Sequence, residues 1–175
     1  GWDEADGYFT APIAGTRILE ETAVQARLIR ECGDVVIKAA AGDKEIPLSV
    51  SVSGKTAHAV LTDEILKELG ETVSGRLILY VEGDRRQEIP VIFNIAEAER
   101  DPLCVDDFER YYGSSELLNS SWSVNKDSGC ELALTLADDV FYDGEYSLRF
   151  EYRETRTGWA GATVPCEADW SSCNA

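Results

Sequence analysis

Thirty-three carboxylates in 175 residues make acid–base chemistry the first possibility to weigh. Glycoside hydrolysis needs two carboxyl groups held across a cleft at a fixed separation. So many acids produce neighbouring pairs by chance, and no pair here resembles one at the strand ends of a large catalytic fold. The chain is also too short for a TIM barrel. His58 is the only histidine. It lies in Lys55-Thr56-Ala57-His58-Ala59-Val60, a strand-like run with no serine elbow or metal motif beside it, and reads as structural. No glycine-rich phosphate loop occurs. The five cysteines, Cys32, Cys104, Cys130, Cys166 and Cys173, form no CxxC pair, which argues against a structural zinc site. Their odd number leaves at least one unpaired within the chain. Cys166 and Cys173 are close enough in sequence to bridge, but spacing alone does not establish the geometry. Buried free thiols are the expected state. The chain is expected not to be an enzyme.

Charge narrows the partners. The formal net charge is −17. Residues 1–100 hold 18 acids and 11 bases, and residues 101–175 hold 15 acids and 5 bases. Such a surface repels phosphate backbones, and no basic stripe offsets it, so nucleic acid and anionic membranes are poor partners. Neutral sugars and divalent cations remain compatible. No apolar run approaches the ~20 residues of a membrane span. The acidic start Gly1-Trp2-Asp3-Glu4 lacks a signal-peptide core, and the chain has no methionine. Both features lead us to expect an internal piece of a longer polypeptide.

The elements that would position any site are mostly strands. Ile46, Leu48, Val50 and Val52 alternate with Pro47, Ser49 and Ser51, and Ile89, Val91, Phe93 and Ile95 alternate across Pro90, Ile92 and Asn94. Pro90 suggests an edge or strand-entry position, because it cannot donate to a ladder. Glu82–Gln87 reads as a hairpin loop. Earlier strand candidates are 23–29 and 34–39. Thr62 is placed to cap a short helix over 63–69, with Ile65, Leu66 and Leu69 as its apolar stripe and Gly70 as its stop. Residues 10–96 thus read as an immunoglobulin-like β-sandwich. Residues 1–9 are expected to be a linker remnant, and the polar segment 97–102, ending in Pro102, a linker. Beyond it, Leu132, Leu134 and Leu136 alternate along one strand and Tyr146, Leu148, Phe150 and Tyr152 along another, with Asp143-Gly144 as a turn between them.

The second segment carries a resemblance. Val105-Asp106-Asp107-Phe108-Glu109 is followed by Trp122, by Gly144-Glu145-Tyr146-Ser147-Leu148-Arg149-Phe150, by Gly158-Trp159-Ala160-Gly161-Ala162 and by Asp169-Trp170-Ser171. In that order, residues 103–175 resemble the first half of the jelly-roll carbohydrate-binding modules typified by family 11, within the wider galactose-binding-like group. The stretch from Gly7 to Ile18 is similar to the start of immunoglobulin-like modules in modular glycoside hydrolases, β-mannanases among them. The resemblance implies an all-β chain: an immunoglobulin-like sandwich followed by part of a jelly roll. Such a half would need completion by further residues, a swapped partner or the first domain.

The resemblance also implies roles. Aromatic platforms grip the flat C–H faces of sugar rings while polar side chains bond the hydroxyls. Trp159, flanked by small residues, matches an aromatic of the sugar cleft, with core packing as its alternative. Arg149, Glu151 and Arg153 face away from the apolar set of their strand and either line a cleft or are solvated. Trp122 and Trp170 are expected in the core, and so are Tyr111 and Tyr112. The family commonly holds a structural Ca2+ near the acids at 106–109, which makes Asp107 and Glu109 the candidate metal ligands. Asp138, Asp139 and Asp143 resemble turn acids. The implied function is that of a non-catalytic, polysaccharide-binding region of a secreted or cell-surface glycoside hydrolase. Its partners would be plant cell-wall β-glucan or mannan and the parent chain's catalytic domain. A structural spacer and a cell-surface adhesion domain remain the alternatives.

Overall fold

In the first unit, five segments send apolar side chains inward, and together they build one core. Val24, Ala26 and Leu28 point inward on β3 (Thr22–Leu28), and Val35, Ile37 and Ala39 on β4 (Val35–Ala41). Ala57, Ala59 and Leu61 follow on β7 (Thr56–Leu61), and Leu77, Leu79 and Val81 on β8 (Thr72–Val81). Ile89, Val91 and Phe93 complete the set on β9 (Asp84–Phe93). With β1 (Gly7–Ala11), β2 (Arg17–Ile18), β5 (Lys44–Pro47) and β6 (Val50–Ser53), these strands form two sheets, ordered β1-β3-β7-β6 and β2-β9-β8-β4-β5. The short β2 runs parallel to β9, and the other pairs are antiparallel. Inward side chains of both sheets share a single cluster, so the unit is a β-sandwich. The computed structural model describes residues 7–99, 101, 103–153, 157–166 and 171. The chain divides into two compact units that meet in sequence between Ala96 and Glu97. Strands hold 49% of the described residues and helical elements 11%, which makes the protein all-β.

The helix α1 (Asp63–Leu69) carries the chain from one sheet to the other. The Thr62 hydroxyl accepts a hydrogen bond from the Ile65 N–H, Leu66 and Leu69 are buried, and Gly70 closes the last turn with φ 70°. The Asn94 side-chain amide adds a second stop, donating to the carbonyls of Leu66 and Gly70 at 2.8 and 2.7 Å.

Several expectations need correction. The alternating run 46–52 is not one strand. It splits into β5 and β6, which belong to different sheets, and buried Leu48 lies between them with its N–H bonded to the Ile37 carbonyl. The hairpin loop is two residues, Glu82 and Gly83, rather than six, and both have positive φ, as a tight primed turn requires. Residues 89–93 are buried on both faces rather than alternating, and the strand stops before Ile95. Pro90 sits inside β9 rather than at its start. The N–H groups of Ile92 and Asn94 point toward the β2 side, so Pro90's missing donor falls just before β2 begins, outside any ladder. Sheet pairing starts at Gly7, opposite Leu28, so Gly7–Phe9 belong to the sandwich and not to a linker. At the expected linker 97–102, Glu97 pairs with Arg110 and so belongs with the second unit, while Arg100 and Pro102 lie outside the described residues.

The second unit has two ribbons. One pairs β10 (Ser123–Lys126) with β13 (Ala160–Thr163), and the other pairs β11 (Glu131–Ala137) with β12 (Ser147–Arg153). A helix without a clear sequence signal, α2 (Ser115–Ser121), is capped by Ser114 and buries Leu117 and Leu118. Its Ser115 and Asn119 side chains bond the backbone of β11 at Leu136 and Leu134. Tyr111 is buried, but Tyr112 is 39% exposed, so the expected core pair is divided. Trp122 is half-buried, its ring centroid 6.1 Å from that of Phe108. Trp170 and Cys173 lie outside the described residues. The expectation of buried thiols holds for Cys130; Cys32 is half-buried against the core of the first unit, Cys104 is half-buried and Cys166 is exposed.

Candidate functional site

Trp159 immediately precedes β13. The Asp127 N–H donates to the Trp159 carbonyl at 2.9 Å, extending the β10–β13 ladder by one rung. The register pairs Asn125 with Gly161 and Ser123 with Thr163. Side chains two apart on a strand, and those directly opposite, share a face. Trp159, Gly161 and Thr163 therefore stand on one face with Asp127, Asn125 and Ser123. The other face carries Val124, Lys126, Ala160 and Ala162. Trp159 is 53% exposed. A Cβ built on Gly161 would meet no atom within 4 Å, so the space beside the indole is open. Next along the face, the Asn125 amide donates to the Thr163 hydroxyl at 3.3 Å. An open aromatic platform with hydrogen-bonding side chains beside it, the Asp127 carboxylate among them, is suited to a hydroxylated ring. The sequence points to Trp159 but not to Asn125 and Thr163. Their pattern was present in the alternation of Ser123, Val124, Asn125 and Lys126, but nothing local says that this strand pairs with residues nearly forty positions away.

Arg149 and Arg153 stand on β12, in a different ribbon from Trp159. Each faces a carboxylate. Arg149 forms an ion pair with Asp139, and the Arg153 Nε lies 4.0 Å from Glu131 across the ribbon. Among the described residues no hydrogen bond or ion pair joins either arginine to Trp159. On the other face of β12, Phe150 and Tyr152 are 45% and 66% exposed.

The acids at 106–109 act as acceptors for protein donors. Asp106 Oδ1 takes the Phe108 N–H at 3.0 Å. Its Oδ2 takes the Tyr111 hydroxyl at 2.6 Å and the Trp122 indole N–H at 2.9 Å. Burial, and then this hydrogen bond to Asp106, push the Tyr111 phenol up to about 12. Glu109 Oε1 takes the N–H groups of Glu145 and Tyr146 at 2.8 and 2.9 Å. Asp107 is exposed. Calcium takes six to eight oxygens, and among the described residues no group of three or more His, Cys, Asp or Glu side chains is placed to hold a metal. Of the two ligands that the resemblance implies, Asp107 is free to solvent, while Glu109 has one carboxylate oxygen engaged by two backbone amides.

His58 is exposed on β7 and lines a shallow pocket of about 270 Å³ with Pro47, Ser51, Val60, Thr62 and Ile65. Comparison of the chain with protein-family models, with curated proteins and with solved structures finds no match.

Proposed function

We propose that this chain is a non-catalytic glycan-binding region of a secreted, modular polysaccharide-degrading enzyme, with Trp159 as its principal sugar contact. The observation that carries this reading is the open face at Trp159, Gly161, Asn125 and Thr163. A half-exposed indole there borders free space and a set of hydrogen-bonding side chains. The surrounding acidity favours an uncharged ligand over an anionic one, consistent with a plant β-glucan or mannan chain. Arg149 and Arg153, each already facing a carboxylate, are secondary in this reading. The strand orders β1-β3-β7-β6 and β2-β9-β8-β4-β5 support an immunoglobulin-like first unit. With the strands lettered in chain order they match the ABED and CFG sheets of that architecture, with one added strand at each end of the second.

The test is calorimetric titration of the chain with cellohexaose and with mannohexaose. One of them binds, and Trp159→Ala weakens that binding about tenfold or more, about 1.4 kcal/mol, with an unchanged melting temperature. Wild-type-like binding by the variant moves the site elsewhere. Failure of the wild type to bind either sugar favours the spacer reading.

A further inference from the structure

Residues 138–146 link β11 to β12, and their middle carries three consecutive exposed apolar side chains. Val140 is 70% exposed, Phe141 49% and Tyr142 fully. Single exposed apolar residues need no explanation, but a contiguous set marks an interaction site. The loop is tied down along its length. Asp139 pairs with Arg149. The Ser147 hydroxyl donates to the Val140 carbonyl. Asp143 Oδ1 accepts the Gly144 N–H at 3.0 Å, and Glu109 accepts the N–H groups of Glu145 and Tyr146. The aromatic side chains are therefore presented on a fixed backbone, which lowers the ordering cost of binding.

The chemistry around them selects the occupant. Asp138, Asp143 and Glu145 are exposed in the same loop, within a segment of 15 acids and 5 bases. Aromatic faces attract ammonium and guanidinium groups, and carboxylates complete their charge pairing. A neutral glycan offers no cation to these acids, and Val140 and Phe141 offer no hydrogen bond to its hydroxyls. We infer that this loop docks a cationic segment of a protein partner, with Lys or Arg side chains over Phe141 and Tyr142 and their charges met by Asp138, Asp143 and Glu145. This loop joins the strands of the β11–β12 ribbon, whereas Trp159 adjoins the other ribbon, and the inference does not rest on the glycan reading.

Fluorescence anisotropy with a labelled peptide of alternating Arg and Gly tests the inference, using the whole chain at about 150 mM salt, where the screening length is about 8 Å. The Arg peptide binds, and a matching Glu peptide does not. The double variant Phe141→Ser, Tyr142→Ser loses about tenfold in affinity with unchanged circular dichroism and melting. Asp138→Asn with Glu145→Gln also weakens binding, whereas Tyr142→Phe, which keeps the ring, binds nearly as the wild type does. Equal binding by the double serine variant would mean adsorption by net charge alone and would overturn the inference. So would absence of Arg-peptide binding by the wild type. Loss of cellohexaose or mannohexaose binding in the double variant, with the peptide still bound, would reassign the loop to glycan. A dimer of the wild type that the double variant abolishes would reassign it to self-association.

Discussion

Asp106 and Glu109 show how carboxylates can organise a small unit through the donors they gather. Asp106 gathers the Phe108 amide, the Tyr111 hydroxyl and the Trp122 indole, joining the 3-10 turn Glu109–Tyr111 to the start of β10. Glu109 holds the backbone of residues 145 and 146. Replacing Glu109 by Ala would remove two hydrogen bonds to backbone amides, one of them exposed, and we expect a loss of about 1 kcal/mol in the second unit, read from thermal unfolding. Glu109→Gln keeps a neutral acceptor and should lose less. Tyr111 gives a pH signature. Its folded phenol is held near 12 against about 10 when unfolded, so the stabilisation is complete below pH about 10 and is lost as pH rises toward 12. The loss is on the order of 2 kcal/mol, and Tyr111→Phe should abolish that slope in denaturant titrations across this window. The acid cluster was plain in the sequence, but its task was not. Glu109 meets partners 36 and 37 positions away, and residue type alone does not say which amides the fold will bring within reach.

Elements were legible where the signal was local. Thr62, the Ile65-Leu66-Leu69 stripe and Gly70 carry all that α1 needs, and the helix forms over the expected residues. The strands β3, β4, β7, β8 and β9 announce themselves by apolar alternation or runs. The split of 46–52 does not, because alternation is identical whether a segment stays in one sheet or crosses to the other. Pro47 and buried Leu48 are its only local marks. The helix α2 was missed because its apolar stripe is only Leu117 and Leu118, too short to register as a period. The packing of β8 on β9 supplies a sharp test. A Cβ on Gly75 would lie 2.6 Å from the Phe93 ring and 2.7 Å from the Val91 carbonyl, where the register also shifts. Gly75→Ala should therefore cost about 1–3 kcal/mol by forcing a fully buried ring or the ladder to move. Equilibrium denaturation of the first unit measures it, and a variant as stable as wild type would refute the close approach. Thr62→Ala should cost about 1 kcal/mol through the lost cap.

At the scale of the whole molecule, the apolar burial is unequal. The contiguous core runs from Ile18 to Phe93 and takes all of its residues from the first unit. In the second unit, the buried apolar residues among those described are Tyr111, Leu117, Leu118, Cys130, Leu134 and Ala137. At about 25 cal/mol per Å² of buried apolar area, the first unit has much the larger driving force, while backbone ordering costs a similar amount per residue in both. The second unit also carries the denser negative charge, whose self-repulsion opposes compaction. Two predictions follow from this asymmetry. Residues 1–96 made alone should fold cooperatively, because no core residue is lost with the cut. The whole chain should unfold in two steps, the second unit first, and only the earlier step should respond to Glu109→Ala or Tyr111→Phe, while only the later one responds to Gly75→Ala. Differential scanning calorimetry of the whole chain, the 1–96 fragment and the three variants reads both. A single cooperative transition shifted equally by all three substitutions, or a 1–96 fragment without a melting transition, would mean that the two units share their stability after all.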